Sequence, residues 1–535
     1  MLGGMQDYEL RVSRLLENAA NDHPNREIVT RWADGSETRS NWVQTRFDAR
    51  RFAQALERLG IRPGDRVATL AMNHGRHLIA WYGAMGMGAV LHTINPRLFD
   101  EQLEFIANHA EDRVLLYDRV FQPIVDRLRA RWPRIERYIV FDAEGPDSFE
   151  ALIAREDGSY AWREGSEHEP CMLCYTSGTT GNPKGVMYSH RSSLLHAMAC
   201  VQPDAGNLSS DAVAMPIVPM FHAAAWGLPF AVPMVGAKLV FSATNDPDTL
   251  CDLMNQEKVT HSGGVPTVWF AMFRHIDETG RSPQFLRHTL IGGAAAPRAM
   301  IARLLDMGVR VCHAWGMTET SPVATVAGLK PDWATLSRDE QLDHLVKQGR
   351  PAFPIELRAL DDHDAICPRD GVTPGRLQVR GPWVVGQYFG ATEPCIDADG
   401  WFETGDVAVI HPDGTMQITD RAKDVIKSGG EWISSVDLEN AAVGCEGVAE
   451  AAAIGVPHPQ WGERPLLLVV RKAGSAVGEA EVRAHLAENC AKWWQPDEIR
   501  FVEDLPHTAT GKLLKTELRA RYASATSAPR AVART

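Results

Sequence analysis

Residues 175–185 read Tyr-Thr-Ser-Gly-Thr-Thr-Gly-Asn-Pro-Lys-Gly, directly after the apolar run Cys171-Met-Leu-Cys174. An apolar run that breaks into small and hydroxyl residues with one lysine has the composition of a strand entering an anion-binding loop. Glycines let the backbone approach a phosphate, hydroxyls and main-chain N–H groups donate hydrogen bonds, and Lys184 adds a point charge. Gly178 and Gly181 do not frame a Gly-Lys-Ser/Thr ending, so the loop is not of the Walker A type. The alternative is a flexible surface turn, and ten such residues in this order argue against it. Cys171 and Cys174 have the spacing of half a metal site, but no second pair or histidine cluster follows, so they read as strand residues.

The pattern around the loop is α/β alternation. Phe47, Phe52, Leu56 and Leu59 follow helical spacing up to Gly60, and 66–71 reads as a strand. Strands at 113–117, 138–141 and 237–241, and helices at 120–131 and 247–257, continue it. The longest uncharged apolar stretch, Leu78 to Ile94, is interrupted by His92 and falls short of the ~20 residues a spanning helix needs. A buried helix-to-strand passage is expected there, and no export signal is visible at the N-terminus. The tail after Tyr522 is expected to be disordered.

The chain has 535 residues, 55 Lys and Arg against 68 Asp and Glu, a formal charge of −13 and 44% hydrophobic residues. Those values fit a globular chain of two or more domains, and the acidic balance argues against a nucleic-acid partner. Nine cysteines, an odd number in a long chain, suit a reduced cytoplasm better than a disulfide framework.

The phosphate-type loop is one of five motifs. The others are His313-Ala-Trp-Gly-Met-Thr-Glu-Thr320, Trp401-Phe-Glu-Thr-Gly-Asp406, Asp420-Arg-Ala-Lys-Asp-Val-Ile-Lys-Ser-Gly-Gly430 and Pro506-His-Thr-Ala-Thr-Gly-Lys512. In this order they resemble the adenylate-forming superfamily, which holds acyl-CoA synthetases, luciferases and the adenylation domains of peptide synthetases. The flanking His92-Thr-Ile-Asn-Pro-Arg-Leu98, Tyr188-Ser-His-Arg191 and Lys427-Ser-Gly-Gly-Glu-Trp-Ile-Ser434 are most similar to medium- to long-chain fatty-acid CoA ligases. The resemblance implies an α/β fold with a large N-terminal domain, 1–420, of layered β-sheets and helices with a small barrel portion. A hinge at 421–424 and a compact mobile α+β C-terminal domain, 425–535, would follow, with the site in the cleft between domains. It further implies ATP and CoA as co-substrates, Mg²⁺, a small-molecule carboxylic acid, a cytoplasmic location and, as in many such ligases, a homodimer.

The chemistry needs such parts. A carboxylate is a poor electrophile; attack on the α-phosphate of ATP turns it into an acyl-AMP anhydride, from which a thiol displaces AMP. Bringing an anion to a polyanion is mostly positioning and charge neutralisation.

The resemblance assigns the β- and γ-phosphates to Thr176, Ser177, Gly178, Thr179, Thr180, Gly181 and Lys184, and the α-phosphate to Thr318. Glu319 and Thr176 would bind Mg²⁺, which prefers oxygen ligands. Gly292, Gly293 and Ala294 would form a backbone wall around adenine, although Gly-Gly-Ala-Ala-Ala is more apolar than relatives' versions. Ala314, Trp315, Gly316 and Met317 would line it, Trp315 offering an aromatic face. Asp406 would take the ribose hydroxyls, beside Ile418 and Arg421. Lys512 would bridge the carboxylate and the α-phosphate as the main catalytic group, with Thr176, Glu319 and His222 also catalytic. Lys423 matches the hinge, and Lys427, Gly429, Gly430, Glu431 and Trp432 would form the face used with CoA.

Substrate choice is expected from Pro219-Met-Phe-His-Ala-Ala-Ala-Trp-Gly227, which carries no charge. Small Ala223, Ala224 and Ala225 leave room, and Phe221 and Trp226, with Val265, make the pocket apolar. His222 reads either as a group orienting the carboxylate or as a hydrogen-bonded core histidine, and Trp226 either as the aromatic gate of long-chain ligases or as core. A medium- to long-chain fatty acid is the first substrate reading, with an aryl, phenylpropenoic or short thioether acid as the second. An adenylating enzyme with a non-CoA acceptor and a catalytically silent binding protein are the readings of other classes.

Overall fold

The computed structural model describes residues 3–176, 182–421, 423–428, 431–507 and 513–522. Two compact units emerge, Met1–Glu356 with Arg380–Phe402, and Leu357–Val379 with Glu403–Thr535.

The first unit carries a six-stranded sheet in the order Arg137–Val140, Asp112–Tyr117, Arg66–Leu70, Val90–Thr93, Pro170–Tyr175, Gly185–Ser189. Its first five strands are parallel and the last is antiparallel. Parallel strands covered on both faces read as near-continuous apolar runs, which is why Val67, Ala68, Leu91, Leu115, Met172 and Leu173 are almost wholly buried. The apolar stretch from Leu78 becomes the helix Gly75–Gly86, buried from His77 onward, and the strand Val90–Thr93. Among the described residues no helix is long and apolar enough to cross a membrane. The helix Trp42–Arg58 starts where the Asn41 side chain accepts from Gln44 N. The segment expected as one helix over 120–131 is three short pieces, a 3₁₀ turn Arg119–Phe121, an α-helix Gln122–Leu128 and a 3₁₀ turn Arg129–Arg131.

A nine-stranded sheet in the same unit runs Arg350–Pro351, Val323–Val326, Arg310–Gly316, His288–Ile291, His261–Gly264, Val213–Pro216, Lys238–Ser242, Glu27–Arg31, Glu37–Asn41. Its middle is parallel and its edges antiparallel. Ligands of parallel sheets sit beyond the carboxyl ends of the strands, and the chain after Pro170–Tyr175, Val213–Pro216, His288–Ile291 and Arg310–Gly316 carries the segments singled out above. All nine cysteines are free and seven are buried.

The second unit has a four-stranded sheet, Glu356–Leu360, Gly375–Arg380, Phe402–Ile410, Met416–Arg421, and a five-stranded sheet holding Glu431–Ile433, Ile426–Ser428, Gly462–Arg471, Val448–His458 and Glu498–Phe501. The helices Ser435–Gly444 and Glu479–Asn489 pack Leu438, Ala442, Val482 and Leu486 onto it with Val448, Leu467 and Val469.

Candidate active site

The phosphate-type loop is the connection of an antiparallel hairpin, and its ends are tied together. Thr176 N donates to Lys184 O at 2.9 Å, and Lys184 N donates to Thr176 Oγ1 at 3.1 Å. Ser177, Gly178, Thr179, Thr180 and Gly181 lie outside the described residues.

Lys184 is exposed, and its Nζ stands 4.7 Å from the centroid of the Tyr388 ring. The Tyr388 hydroxyl donates to Glu319 Oε1 at 2.9 Å. A cation over the ring face and a carboxylate at the hydroxyl favour the same polarisation of the phenol. Burial, and next the Glu319 charge, hold the Tyr388 phenol well above its ordinary range, so it remains a donor.

Thr318 and Glu319 are both buried, on a tight turn. A Cβ on Gly316 would lie 1.7 Å from Pro322 O, so only glycine fits there. Met317 N donates to Pro322 O at 3.1 Å and Thr320 Oγ1 at 2.9 Å, Val385 N to Glu319 O at 2.8 Å, and the Tyr188 hydroxyl to Thr318 O at 2.7 Å. Four anchors from three separate segments fix the carboxylate. The Glu319 carboxylate and the Thr176 hydroxyl are the hard oxygen donors that Mg²⁺ takes, usually with waters and substrate phosphates completing its shell. No cluster of three or more His, Cys, Asp or Glu suited to another metal occurs among the described residues.

The expected adenine wall and acyl pocket meet at Trp226. A Cβ on Gly292 would lie 3.0 Å from Ala314 O and 3.6 Å from Trp226 Cη2; on Gly293, φ +79°, it would lie 3.2 Å from Val265 Cγ1 and 3.8 Å from Trp226 Cζ2. A Cβ on Gly263 would lie 3.7 Å from Trp226 Cε3, so three glycines leave the indole its bed. Gly293 and Ala294 are exposed, Trp315, Gly316 and Met317 half-buried, and Ala314 buried. Ala223, Ala224, Ala225 and Trp226 all have positive φ, 43°, 52°, 48° and 56°. Four left-handed non-glycine residues in a row are costly, at about 1–2 kcal/mol each, and alanine carries the smallest chiral side chain with which to do it. The alanines therefore serve backbone geometry: each is buried, and none of the three lines the cavity behind Trp226.

That cavity, about 30 Å³, is lined mainly by apolar side chains, Trp226, Leu228, Leu290, Val323 and Val326 among them, and reaches His261 and His288. A second, more polar one, about 10 Å³, lies against Phe221, His222, Thr93, Asn95 and Tyr175. The Asn73 side chain anchors the backbone between them, donating to Pro216 O and Val218 O at 3.0 Å and accepting from Met220 N at 2.6 Å. Asn73 and Tyr388 stand in none of the quoted motifs; their partners are 147 and 69 residues away in sequence, so only the folded chain reveals them.

In the second unit Asp406 and Arg421 face each other across an antiparallel pair, with Arg421 Nε 3.1 Å from Asp406 Oδ1, while Ile418 pairs with Ala408. Asp406 is buried, and its N–H donates to Thr404 Oγ1 at 3.1 Å. Lys423 lies in the turn that follows and is exposed. Asp420 accepts from Ser435 N at 2.6 Å and Ser435 Oγ at 3.0 Å; Lys515 Nζ donates to Ser435 Oγ at 2.6 Å and pairs with Glu439 at 2.7 Å. Lys427 is exposed on the strand Ile426–Ser428, which pairs with Glu431–Ile433. Lys512, Gly429, Gly430 and the side chains of Glu431 and Trp432 lie outside the described residues.

Two family models match the chain, AMP-binding enzyme over residues 16–389 and AMP-binding enzyme C-terminal domain over 437–512. The chain is 45% identical to the 3-methylmercaptopropionyl-CoA ligase of Ruegeria lacuscaerulensis, covering 98% of this chain and 99% of that one. It is 44% identical to the medium-chain-fatty-acid–CoA ligase of Ectopseudomonas oleovorans, covering 98% of both. The solved structure of ATP-bound MatB from Rhodopseudomonas palustris superposes with a TM-score of 0.83 at 25% identity, covering 96% of this chain and 99% of that one.

Proposed function

We infer, from the premise that this chain belongs to the AMP-binding enzyme family, that it is an ATP-dependent, AMP-forming acyl-CoA ligase for a hydrophobic carboxylic acid. The observation that carries the substrate is the mainly apolar lining of the cavity behind Trp226, which suits an uncharged alkyl tail.

In the first half-reaction the acid's carboxylate oxygen attacks the α-phosphorus of ATP, the bond to the β-phosphate oxygen breaks, and pyrophosphate leaves. Thr176 and Lys184 at the loop ends hold the β- and γ-phosphates, and Thr318 touches the α-phosphate. Glu319, held by the Tyr388 hydroxyl, and Thr176 would hold Mg²⁺, which supplies charge neutralisation on phosphate oxygens when bound. Asp406 takes the ribose hydroxyls, with Arg421 beside it. Lys512 offsets the charge of carboxylate and α-phosphate. His222 orients the carboxylate, and Trp226 gates the tail.

In the second half-reaction the CoA sulfur attacks the acyl carbon and AMP leaves. Rotation about Lys423 withdraws Lys512 and presents the Lys427–Trp432 segment to CoA. By resemblance we also expect a cytoplasmic homodimer, which light scattering on the purified chain would test.

The experiment is CoA-dependent AMP release with ATP and Mg²⁺ across acetate, hexanoate, octanoate, palmitate, cinnamate and methylthiopropionate. A maximum at medium or long alkyl chains supports the reading. A preference for cinnamate or methylthiopropionate overturns the fatty-acid substrate and keeps the mechanism, and AMP release indifferent to CoA points to another acceptor.

A further inference from the structure

The cavity behind Trp226 runs along two neighbouring parallel strands, His261–Gly264 and His288–Ile291, which pair His261 with His288 and Gly263 with Leu290. Side chains two residues apart share a face of a strand. His288, Leu290 and Gly292 therefore share one face, and His261 and Gly263 share the same face on the neighbour. A Cβ on Gly263 or Gly292, near the carboxyl ends, would meet the Trp226 indole, while the two imidazoles stand at the amino ends and line the cavity. Four residues from Gly292 back to His288 span about 13 Å at ~3.3 Å each, on the order of ten methylene groups at the ~1.5 Å C–C bond length.

The imidazoles stack, with centroids 5.5 Å apart and planes at 25°. His261 is satisfied, its Nδ1 sharing a hydrogen bond with Thr260 Oγ1 at 2.8 Å and its Nε2 donating to Asn207 O at 3.0 Å. His288 is 3% exposed, and its Nε2 has no hydrogen-bond partner among the described residues. Burial pushes this imidazole down to about 3, so it is neutral at working pH, and the Ala205 backbone favours a proton on the ring. With Nε2 the unpartnered nitrogen, that proton belongs on Nδ1 and Nε2 carries the lone pair. An apolar cavity that ends at a neutral, unmatched acceptor asks for a donor on whatever fills it.

Resting on the reading of this cavity as the acyl pocket, we propose that His288 Nε2 accepts a hydrogen bond from the far end of the substrate, so that the enzyme prefers medium-chain acids bearing a hydroxyl at or near the ω-carbon. Trp226 stands toward the carboxyl ends of the two strands and His288 at their amino ends; the lining is mainly apolar, with Ser262 and Cys200 also in it. A site built around a hydroxyl discriminates strongly against the analogue lacking it, because its own buried group is then left unpaired.

The test is kcat/KM by CoA-dependent AMP release on the full-length enzyme, for n-alkanoates from hexanoate to tetradecanoate and for the ω-hydroxy acid of each length. At the length that reaches His288, the ω-hydroxy acid is expected to exceed its n-alkanoate by about tenfold, and His288→Leu is expected to invert that ratio. The ratio is internal to each enzyme preparation, so partial unfolding of the variant does not move it, and the wild-type ratios stand without the variant. A wild-type preference for the plain alkanoate at every length, or the same ratio in His288→Leu, overturns the proposal while leaving the acyl-CoA ligase reading intact. Silence toward every aliphatic acid, hydroxylated or not, overturns both.

Discussion

Tyr388 donates its hydroxyl to the Glu319 carboxylate at 2.9 Å while carrying the Lys184 ammonium 4.7 Å above its ring. One phenol thus links the end of the phosphate-type loop to the acidic residue of the next motif, 135 positions further along the chain. Tyr388→Phe keeps the ring and removes the donor. It is expected to raise the Mg²⁺ concentration needed for half-maximal pyrophosphate exchange by about tenfold, in line with ~1.5–3 kcal/mol for a hydrogen bond to a charged group. An unchanged Mg²⁺ dependence would detach Tyr388 from the metal-binding role of Glu319.

Lys512 is the group proposed to neutralise charge in adenylation and then to leave. Lys512→Ala is expected to lower acyl-AMP formation by at least about a hundredfold, the size seen when one charge-stabilising donor is lost. Thioester formation from supplied acyl-AMP should persist within a few-fold. Single-turnover assays of each half-reaction decide it, and equal loss in both refutes the assignment.

The left-handed run Ala223–Trp226 makes a stability prediction opposite to the usual one. Ala224 sits at φ +52°, where glycine is free of steric cost, although glycine also gives the unfolded chain more freedom. Ala224→Gly is therefore expected to stabilise by about 0.5–1 kcal/mol and Ala224→Val to destabilise by more than about 2 kcal/mol. Urea midpoints would show it, and a destabilised glycine variant would contradict the backbone geometry.

Lys515 is 8% exposed and pairs with Glu439. Lys515→Met leaves a buried carboxylate alone and is expected to cost about 3–5 kcal/mol, most of which the double variant Lys515→Met/Glu439→Leu recovers. A double variant no more stable than the single one would show that the pair is worth more than its desolvation.

Several buried histidines set the acid limit of stability. Burial lowers His77, His190, His196 and His288 to about 3 and His313 to about 4, from an ordinary 6.5. The unfolded chain therefore binds protons that the folded chain refuses, and the sign follows: stability is whole above about pH 6.5 and falls as pH drops toward 3–4. Each group removes up to ~1.4 kcal/mol per pH unit below its unfolded pKa. The urea midpoint should fall sharply between pH 7 and pH 5.5, and His313→Gln should flatten that slope. A flat midpoint over this range would mean these imidazoles are charged in the folded state.

The motifs and the α/β order were legible in the sequence because both are local. A strand covered on two faces is an apolar run wherever it lies, and a loop that binds phosphate needs glycine, hydroxyl and lysine within a few residues. The strands expected at 66–71, 113–117, 138–141 and 237–241 and the helix at 247–257 accordingly appear within a residue or two. Tertiary structure alone decided that Tyr388 reaches Glu319, that Asn73 holds the backbone at 216–220, that the alanines before Trp226 turn left-handed, and that His288 ends the apolar cavity. Spacing along the chain carries no sign of these, because a buried polar atom takes whichever partner the packing brings within hydrogen-bond distance, and a backbone conformation that sequence disfavours persists only where surrounding contacts hold it.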